Sequence, residues 1–190
     1  VPAKAWEDTL GGEGTTHAID TSDNNTVYAS SFYGNLDRAD LTKPGAPGGW
    51  RPMPYRTTNI MPKVAEGEPP LRGQWMAPTI VSPHDPNVVY HGLQYVYRSM
   101  HKGDAWERIS PDLTGNVSTM MGDIPYQTLY ALAESPKRFG LLYAGTDDGR
   151  LHVTRDGGKT WTELTAGLPQ KKWISRIVAS AFDEGTVYVT

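Results

Sequence analysis

The chain has 190 residues, with 18 basic and 21 acidic side chains and a formal net charge of -3. No basic run breaks that near balance, which argues against nucleic acid as a partner and gives no electrostatic reason to expect a membrane surface. Apolar runs are only a few residues long, too short for a transmembrane segment, and the absence of Cys excludes disulfides and thiol chemistry. The 20 Gly and 15 Pro, beside six Trp and ten Tyr, describe a turn-rich β protein rather than a helical one.

Taken in order, residues 1–10 read as a lead-in containing Trp6. A first repeat unit covers 11–50, and a Pro-rich stretch without periodicity, 51–74, reads as an insertion. Further units cover 75–113 and 114–168, and 169–190 holds the opening strands of another. The units share a signature: Tyr28, Tyr90, Tyr143 and Tyr188 each open a strand, and Asp20, Ser82, Ser135 and Ser180 each stand eight residues earlier. Turn formers lie between them. Trp75 and Trp173 stand fifteen residues before their Tyr, and Trp50, Trp106 and Trp161 close three units. About four short strands per unit, in a period of this size, predict an all-β fold, a β-propeller of four-stranded blades. Three units and part of a fourth are fewer than a closed ring typically needs, so an incomplete portion of a larger propeller is expected, its ring completed by more of the same polypeptide or by another chain.

The most constrained stretch is Thr154-Arg155-Asp156-Gly157-Gly158-Lys159-Thr160-Trp161. Its flanks alternate like short half-buried strands, so the octet is a turn. Asp156 can accept backbone N–H groups of the turn, Gly157 and Gly158 tolerate positive φ, and Trp161 lays a ring on the neighbouring sheet. A second copy, Ser99 to Trp106, keeps Ser99, Gly103 and Trp106 in register with Thr154, Gly158 and Trp161, with His101 in the Asp position. The octet resembles the Asp-box, or BNR repeat, of sialidases, sortilin-type receptors and related propellers, where its role is structural.

Several further runs occur together in this order: Gly11-Gly12-Glu13-Gly14, Ser82-Pro83-His84-Asp85-Pro86, Arg98-Ser99, Ile109 to Thr114, and Tyr143-Ala144-Gly145-Thr146-Asp147-Asp148-Gly149. With them the chain resembles bacterial sortilin/Vps10-like BNR-repeat proteins, often labelled glycosyl hydrolases, and more distantly the xyloglucanase-type glycoside hydrolases. Those relatives imply extracytoplasmic propellers, secreted, periplasmic or on the cell surface, that bind glycans, peptides or partner proteins.

The resemblance also tests the enzymatic reading. In xyloglucanase-type enzymes a catalytic Asp of the first blade follows a Tyr-Ala-x-Thr run, and here Tyr28-Ala29-Ser30-Ser31 is followed by Phe32. An aromatic ring cannot move a proton, and inverting hydrolysis needs two carboxylates. Asp147 stands at that position in a different blade, so it is a weak catalytic candidate. A non-catalytic binding or scaffolding propeller is therefore the leading expectation. The alternative is a portion of a glycoside hydrolase whose catalytic carboxylate lies outside this chain. A third reading, an assembly factor for a membrane complex, is allowed by kinship but selected by no residue.

If strands run from the axis outward, the octets lie on one face, and the second-to-third-strand turns and blade links lie on the other. Glu13, Tyr33, Arg72, Trp75, Gln94, Asp148, Arg150 and Trp173 are the ligand-face candidates. Each has a plainer role: Trp75 and Trp173 share a repeat position suited to packing between blades, and Asp147-Asp148-Gly149 is by itself a hairpin turn. No metal or cofactor is expected. His17, His84, His91, His101 and His152 lack metal-ligand spacing, and Asp20-x-Ser22-Asp23-Asn24 lacks the Gly and Glu of a calcium loop.

Overall fold

The computed structural model describes residues 16–45, 54–120 and 125–190. Fourteen strands are formed among them: β1 His17–Ile19, β2 Thr26–Ser31, β3 Asn35–Pro44, β4 Tyr55–Asn59, β5 Thr79–Val81, β6 Val89–Gly92, β7 Val96–Ser99, β8 Glu107–Arg108, β9 Leu129–Glu134, β10 Leu142–Thr146, β11 Leu151–Thr154, β12 Thr162–Glu163, β13 Ile177–Ala179 and β14 Val187–Val189. They make three four-stranded antiparallel meanders, β1–β4, β5–β8 and β9–β12, followed by the pair β13–β14. Each meander is one propeller blade. Tyr28, Tyr90, Tyr143 and Tyr188 all sit on the second strand of their sheets.

The first-to-second-strand links explain the Asp or Ser eight residues before each Tyr. The side-chain oxygens of Asp20, Ser82, Ser135 and Ser180 each accept the backbone N–H two residues on, from Ser22, His84, Lys137 and Phe182. These closures turn the chain locally, as short polar side chains do in Asx and Ser/Thr turns.

The first blade corrects the sequence reading. Its outer strand is β4, Tyr55–Asn59, paired with β3 from Asp37↔Asn59 to Asp40↔Arg56. That strand lies inside the stretch expected to be an insertion, and Trp50 falls outside the described residues. An outer strand exposed on both faces needs no apolar alternation, so Tyr55-Arg56-Thr57-Thr58-Asn59 carries no periodic signal. By register Thr57 occupies the place that Trp106 and Trp161 hold in the next two blades.

Apolar side chains gather at the three blade junctions. Tyr28, Leu36, Ile60 and Val89 fill the first. Val88, Tyr90, Leu113, Leu129, Leu132 and Leu142 lie in the second. Tyr143, Leu151, Val153, Ile174 and Ile177 lie in the third. Burial between blades, rather than within one, supplies the hydrophobic stabilisation, as in stacked repeats.

Two polar positions inside these junctions give testable contrasts. The Tyr90 hydroxyl donates to Glu134 Oε1 at 2.9 Å, and that oxygen also accepts the Gly140 N–H. By register Val81 stands where Glu134 does, one blade earlier, and the buried Tyr28 hydroxyl has no partner among the described residues. Tyr90→Phe is expected to destabilise by about 1–2 kcal/mol because it strips a buried carboxylate of a donor, whereas Tyr28→Phe is expected to be neutral or stabilising. Urea unfolding of both variants checks this, and equal losses contradict it.

His91 is fully buried, with Nε2 2.9 Å from the Gly34 carbonyl and Nδ1 2.9 Å from Thr79 Oγ1. A carbonyl only accepts, so the proton is on Nε2 and Nδ1 accepts from Thr79. Burial lowers its pKa to about 4. Between about pH 6.5 and 4 the unfolded chain binds a proton that the folded one does not. This contribution is therefore intact above the unfolded pKa and is lost on acidification, at up to about 1.4 kcal/mol per pH unit. Replacement by Gln should flatten the acid limb of stability over that window, measured by urea unfolding at a series of pH values.

Candidate binding face

Both octets form the turns between third and fourth strands. Thr154 Oγ1 accepts the Gly158 N–H at 2.9 Å and donates to Asp156 Oδ1 at 2.8 Å. The Asp156 carboxylate accepts the Thr160 N–H and hydroxyl at 2.9 and 2.7 Å, and these bonds hold its pKa down at about 2. In the second blade Ser99 Oγ accepts from His101 and Gly103, so the turn closes without the carboxylate. Each octet also ties its blade to the preceding one. The Trp106 indole N–H donates to Ile60 O at 2.6 Å and that of Trp161 to Ile109 O at 2.8 Å. Arg38 and Arg98, at equivalent third-strand positions, reach the Lys102 and Gly157 carbonyls of the following octets.

The opposite face is built from the second-to-third-strand turns and the links between blades. Its first turn is a 3-10 turn over Phe32–Gly34 with Tyr33 at φ 61°. The link carrying Trp75 runs hard against it: a Cβ on Gly73 would lie 2.5 Å from the Tyr33 carbonyl oxygen and 2.7 Å from Gly34 Cα. Only hydrogen fits there, so the Trp75 ring is brought edge-on to Phe32, with centroids 5.1 Å apart and an interplanar angle of 86°. Phe32 also neighbours Tyr33. The neighbouring Met76 receives the Tyr130 hydroxyl at 3.5 Å, and Tyr130 lies 5.1 Å from the Trp173 ring. Tyr33, Phe32, Trp75, Met76, Tyr130 and Trp173 thus form a run across all three junctions. Phe32, Tyr33, Met76 and Trp173 are each 38–49 % exposed.

Other candidates are committed to the fold. Gln94 is fully buried and does not face a ligand: its Oε1 accepts the Arg72 N–H at 2.8 Å and its Nε2 donates to Pro70 O at 2.9 Å. Arg72 is tied to Asp112 at 2.8 Å and to Thr114 Oγ1 at 3.1 Å. Asp148 accepts from Thr146 Oγ1 and from the Gly115 N–H, holding the next link. Arg150 reaches Glu163 across its own blade. Trp75 is half-buried, and its indole N–H is buried without a partner among the described residues. Glu13 lies outside the described residues.

Asp147 has no exposed surface. It accepts the Thr128 N–H at 2.9 Å, the Thr128 hydroxyl at 2.8 Å and the Gln74 amide at 3.1 Å. Burial, with Asp148 nearby, raises its pKa against those bonds. Phe32, Gln94 and Asp147 occupy corresponding turn positions in successive blades, so one site carries a ring, an amide and a buried acid. Among the described residues no three His, Asp or Glu side chains gather at metal-binding range, and no helix is long and apolar enough to cross a membrane.

No known family model matches the sequence, and no curated protein matches it either. Solved structures do match the backbone. The chain belongs to the β-propeller fold. A GH74 xyloglucanase from Xanthomonas campestris aligns over 85 % of this chain at 18 % identity, with a TM-score of 0.54. An ancestral GH74 enzyme aligns over 89 % at 16 % identity, with a TM-score of 0.56. The chain spans only 24 % and 22 % of those two proteins. At such identity the likeness is one of fold, and function has to be argued from the site.

Sequence reasoning missed Met76 and Tyr130. Tyr130 lies within Leu129-Tyr130-Ala131-Leu132, an apolar run that reads as buried strand. Only the position of its ring beside Trp173 marks it.

Proposed function

We propose that this chain is a non-catalytic portion of a binding propeller that holds an extended ligand, a glycan chain first of all, across its aromatic face. The observation behind this is the run of exposed and half-buried rings from Tyr33 to Trp173 that crosses the three described blade junctions. Such rings offer apolar area at little cost in side-chain freedom, and sugar faces or the side chains of an extended peptide can rest on them. The burial of Asp147 supports the non-catalytic assignment, since a catalytic carboxylate has to reach the reacting bond. We assign both octets as Asp-box turns of structural role, on the strength of their internal hydrogen bonds and their indole ties to the preceding blade. An extracytoplasmic setting goes with this reading, as does a propeller completed by further blades.

The test is a tryptophan-fluorescence titration with β-glucan and xyloglucan oligosaccharides, with an extended peptide as the competing ligand class. Trp173→Ala and Phe32→Ala should each weaken binding by about 1–2 kcal/mol. Unchanged affinity in both variants counts against the aromatic face. A second reading, a portion of a glycoside hydrolase with its catalytic carboxylate elsewhere, draws on the GH74 likeness. Release of reducing ends from xyloglucan by the full-length protein would favour it.

A further inference from the structure

The octet face carries different chemistry at the junction of the first two blades. A cleft of about 380 Å³ opens there, lined by Arg38, Lys43, Arg56 and Lys102 with Thr26, Thr58 and Asp40. Cross-strand register explains the grouping. Thr26, Asp40 and Arg56 form one row across β2, β3 and β4, and Arg38 faces Thr58 two residues along. Lys102 closes the cleft from the octet of the second blade.

Comparison with the next junction separates what the fold needs from what this cleft adds. By register Glu107 stands in the place of Thr58, Ala105 in that of Arg56 and Val88 in that of Thr26. Gly157 stands in the place of Lys102. At the second junction Glu107 holds the Arg98 guanidinium at 2.7 Å. At the first that carboxylate is replaced by a hydroxyl, an apolar Val by a second hydroxyl and an Ala by an arginine. Lys102 itself sits at φ 52°, a region that favours glycine and where glycine is found one blade later. The repeat forms without any of these changes, which add Arg56 and Lys102 and remove one carboxylate. Asp40 and Asp104, standing where Met100 and Lys159 do one junction later, pair with Lys43 and Arg38 and leave Arg56 as the unpaired cation among the described residues.

The cations retain capacity for a ligand. Lys102 is held by Asp20 at 2.7 Å and Asp23 at 3.5 Å, Lys43 by Asp40 at 2.7 Å, and Arg38 by Asp104 at 2.9 Å. Arg38 uses Nη1 alone for Asp104 and the Lys102 carbonyl. Asp104 is 66 % exposed, and pairs of that kind contribute little against a better-placed anion. Arg56 is exposed and has no carboxylate partner among the described residues. Asp40, the one acid in the lining, is already covered by Lys43 and Thr42.

We propose that this cleft binds a tetrahedral oxyanion, a sulfate or phosphate ester group, through Arg56, Arg38 and Lys43, with the Thr58 hydroxyl as a further donor; the Thr26 hydroxyl is already given to Asp23 at 2.8 Å. Forked guanidinium groups suit such oxygens. The site is on the face opposite the aromatic run and stands independently of the function proposed above. Isothermal titration with inorganic sulfate and inorganic phosphate, at ionic strength held constant with chloride, tests it. Saturable binding is expected, weakened about tenfold or more by Arg56→Ala, the loss of one charged hydrogen bond, and unchanged by Lys159→Ala at the neighbouring junction. Tighter binding of sulfate than phosphate points to a sulfated glycan, and the reverse order to a phosphate ester. No saturable binding, or an Arg56→Ala protein that binds as wild type with an unchanged circular dichroism spectrum, overturns the proposal.

Discussion

Gly158→Ala is expected to lower stability by about 2–5 kcal/mol. Two costs combine at that position. Gly158 has φ 97°, where an L side chain is strained by roughly 1–2 kcal/mol. Its added Cβ would also lie 2.6 Å from the Ile109 carbonyl oxygen and 2.7 Å from Ile109 Cβ, and overpacking against such neighbours costs about 1–3 kcal/mol. For a chain of this size the melting temperature should fall by about 2–4 °C for each kcal/mol lost. Gly103→Ala should cost less than Gly158→Ala, because its Cβ would meet only the movable end of Ile60 closely, Cδ1 at 2.3 Å with Ile60 Cβ at 3.3 Å. Gly167→Ala is the matched control, at φ 87° with no atom within 4 Å of the added carbon, and should show only the backbone strain. If all three variants melt together, close approach of blades at the octets is not what those glycines serve.

Trp161→Phe is expected to cost about 1–3 kcal/mol although the ring remains aromatic. The indole N–H is the donor given to Ile109 O, and its loss leaves a carbonyl at the blade junction without a partner. Trp161→Ala should cost more, since the ring also packs on the apolar cluster of that junction. The equivalent Trp106→Phe should give a similar loss through Ile60 O. A double variant separates independent ties from a shared one: the two losses should add to within about 0.5 kcal/mol, because they act at different junctions. Urea unfolding followed by circular dichroism reads all of these, and a wild-type midpoint for Trp161→Phe contradicts the role given to the indole N–H.

Local chemistry made much of this fold legible from residues alone. The octet spacing announces a turn because each side chain acts within a few residues of its own backbone: Thr154 on Gly158, Asp156 on Thr160, Ser99 on Gly103. The same holds for Asp20, Ser82, Ser135 and Ser180, whose oxygens close turns two residues away. Such bonds recur with the repeat, and the Tyr on each second strand recurs with them. Even the octet with His101 in the Asp position is recognisable, since Ser99 and Gly103 suffice to close it.

Contacts between blades leave no comparable mark. Gln94 and Asp147 are polar residues at turn positions and read as exposed, yet each is buried by a link that returns from elsewhere in the chain. Arg72 likewise belongs to Asp112, forty residues on. The outer strand of the first blade was hidden because an exposed strand needs only backbone pairing, which any polar sequence can supply. The run from Tyr33 to Trp173 and the cleft around Arg56 draw on different strands and links, each residue unremarkable by itself. Turn chemistry acts over a few residues and is therefore written in spacing. Burial and convergence depend on which blade lies alongside, and that was decided only when the blades packed.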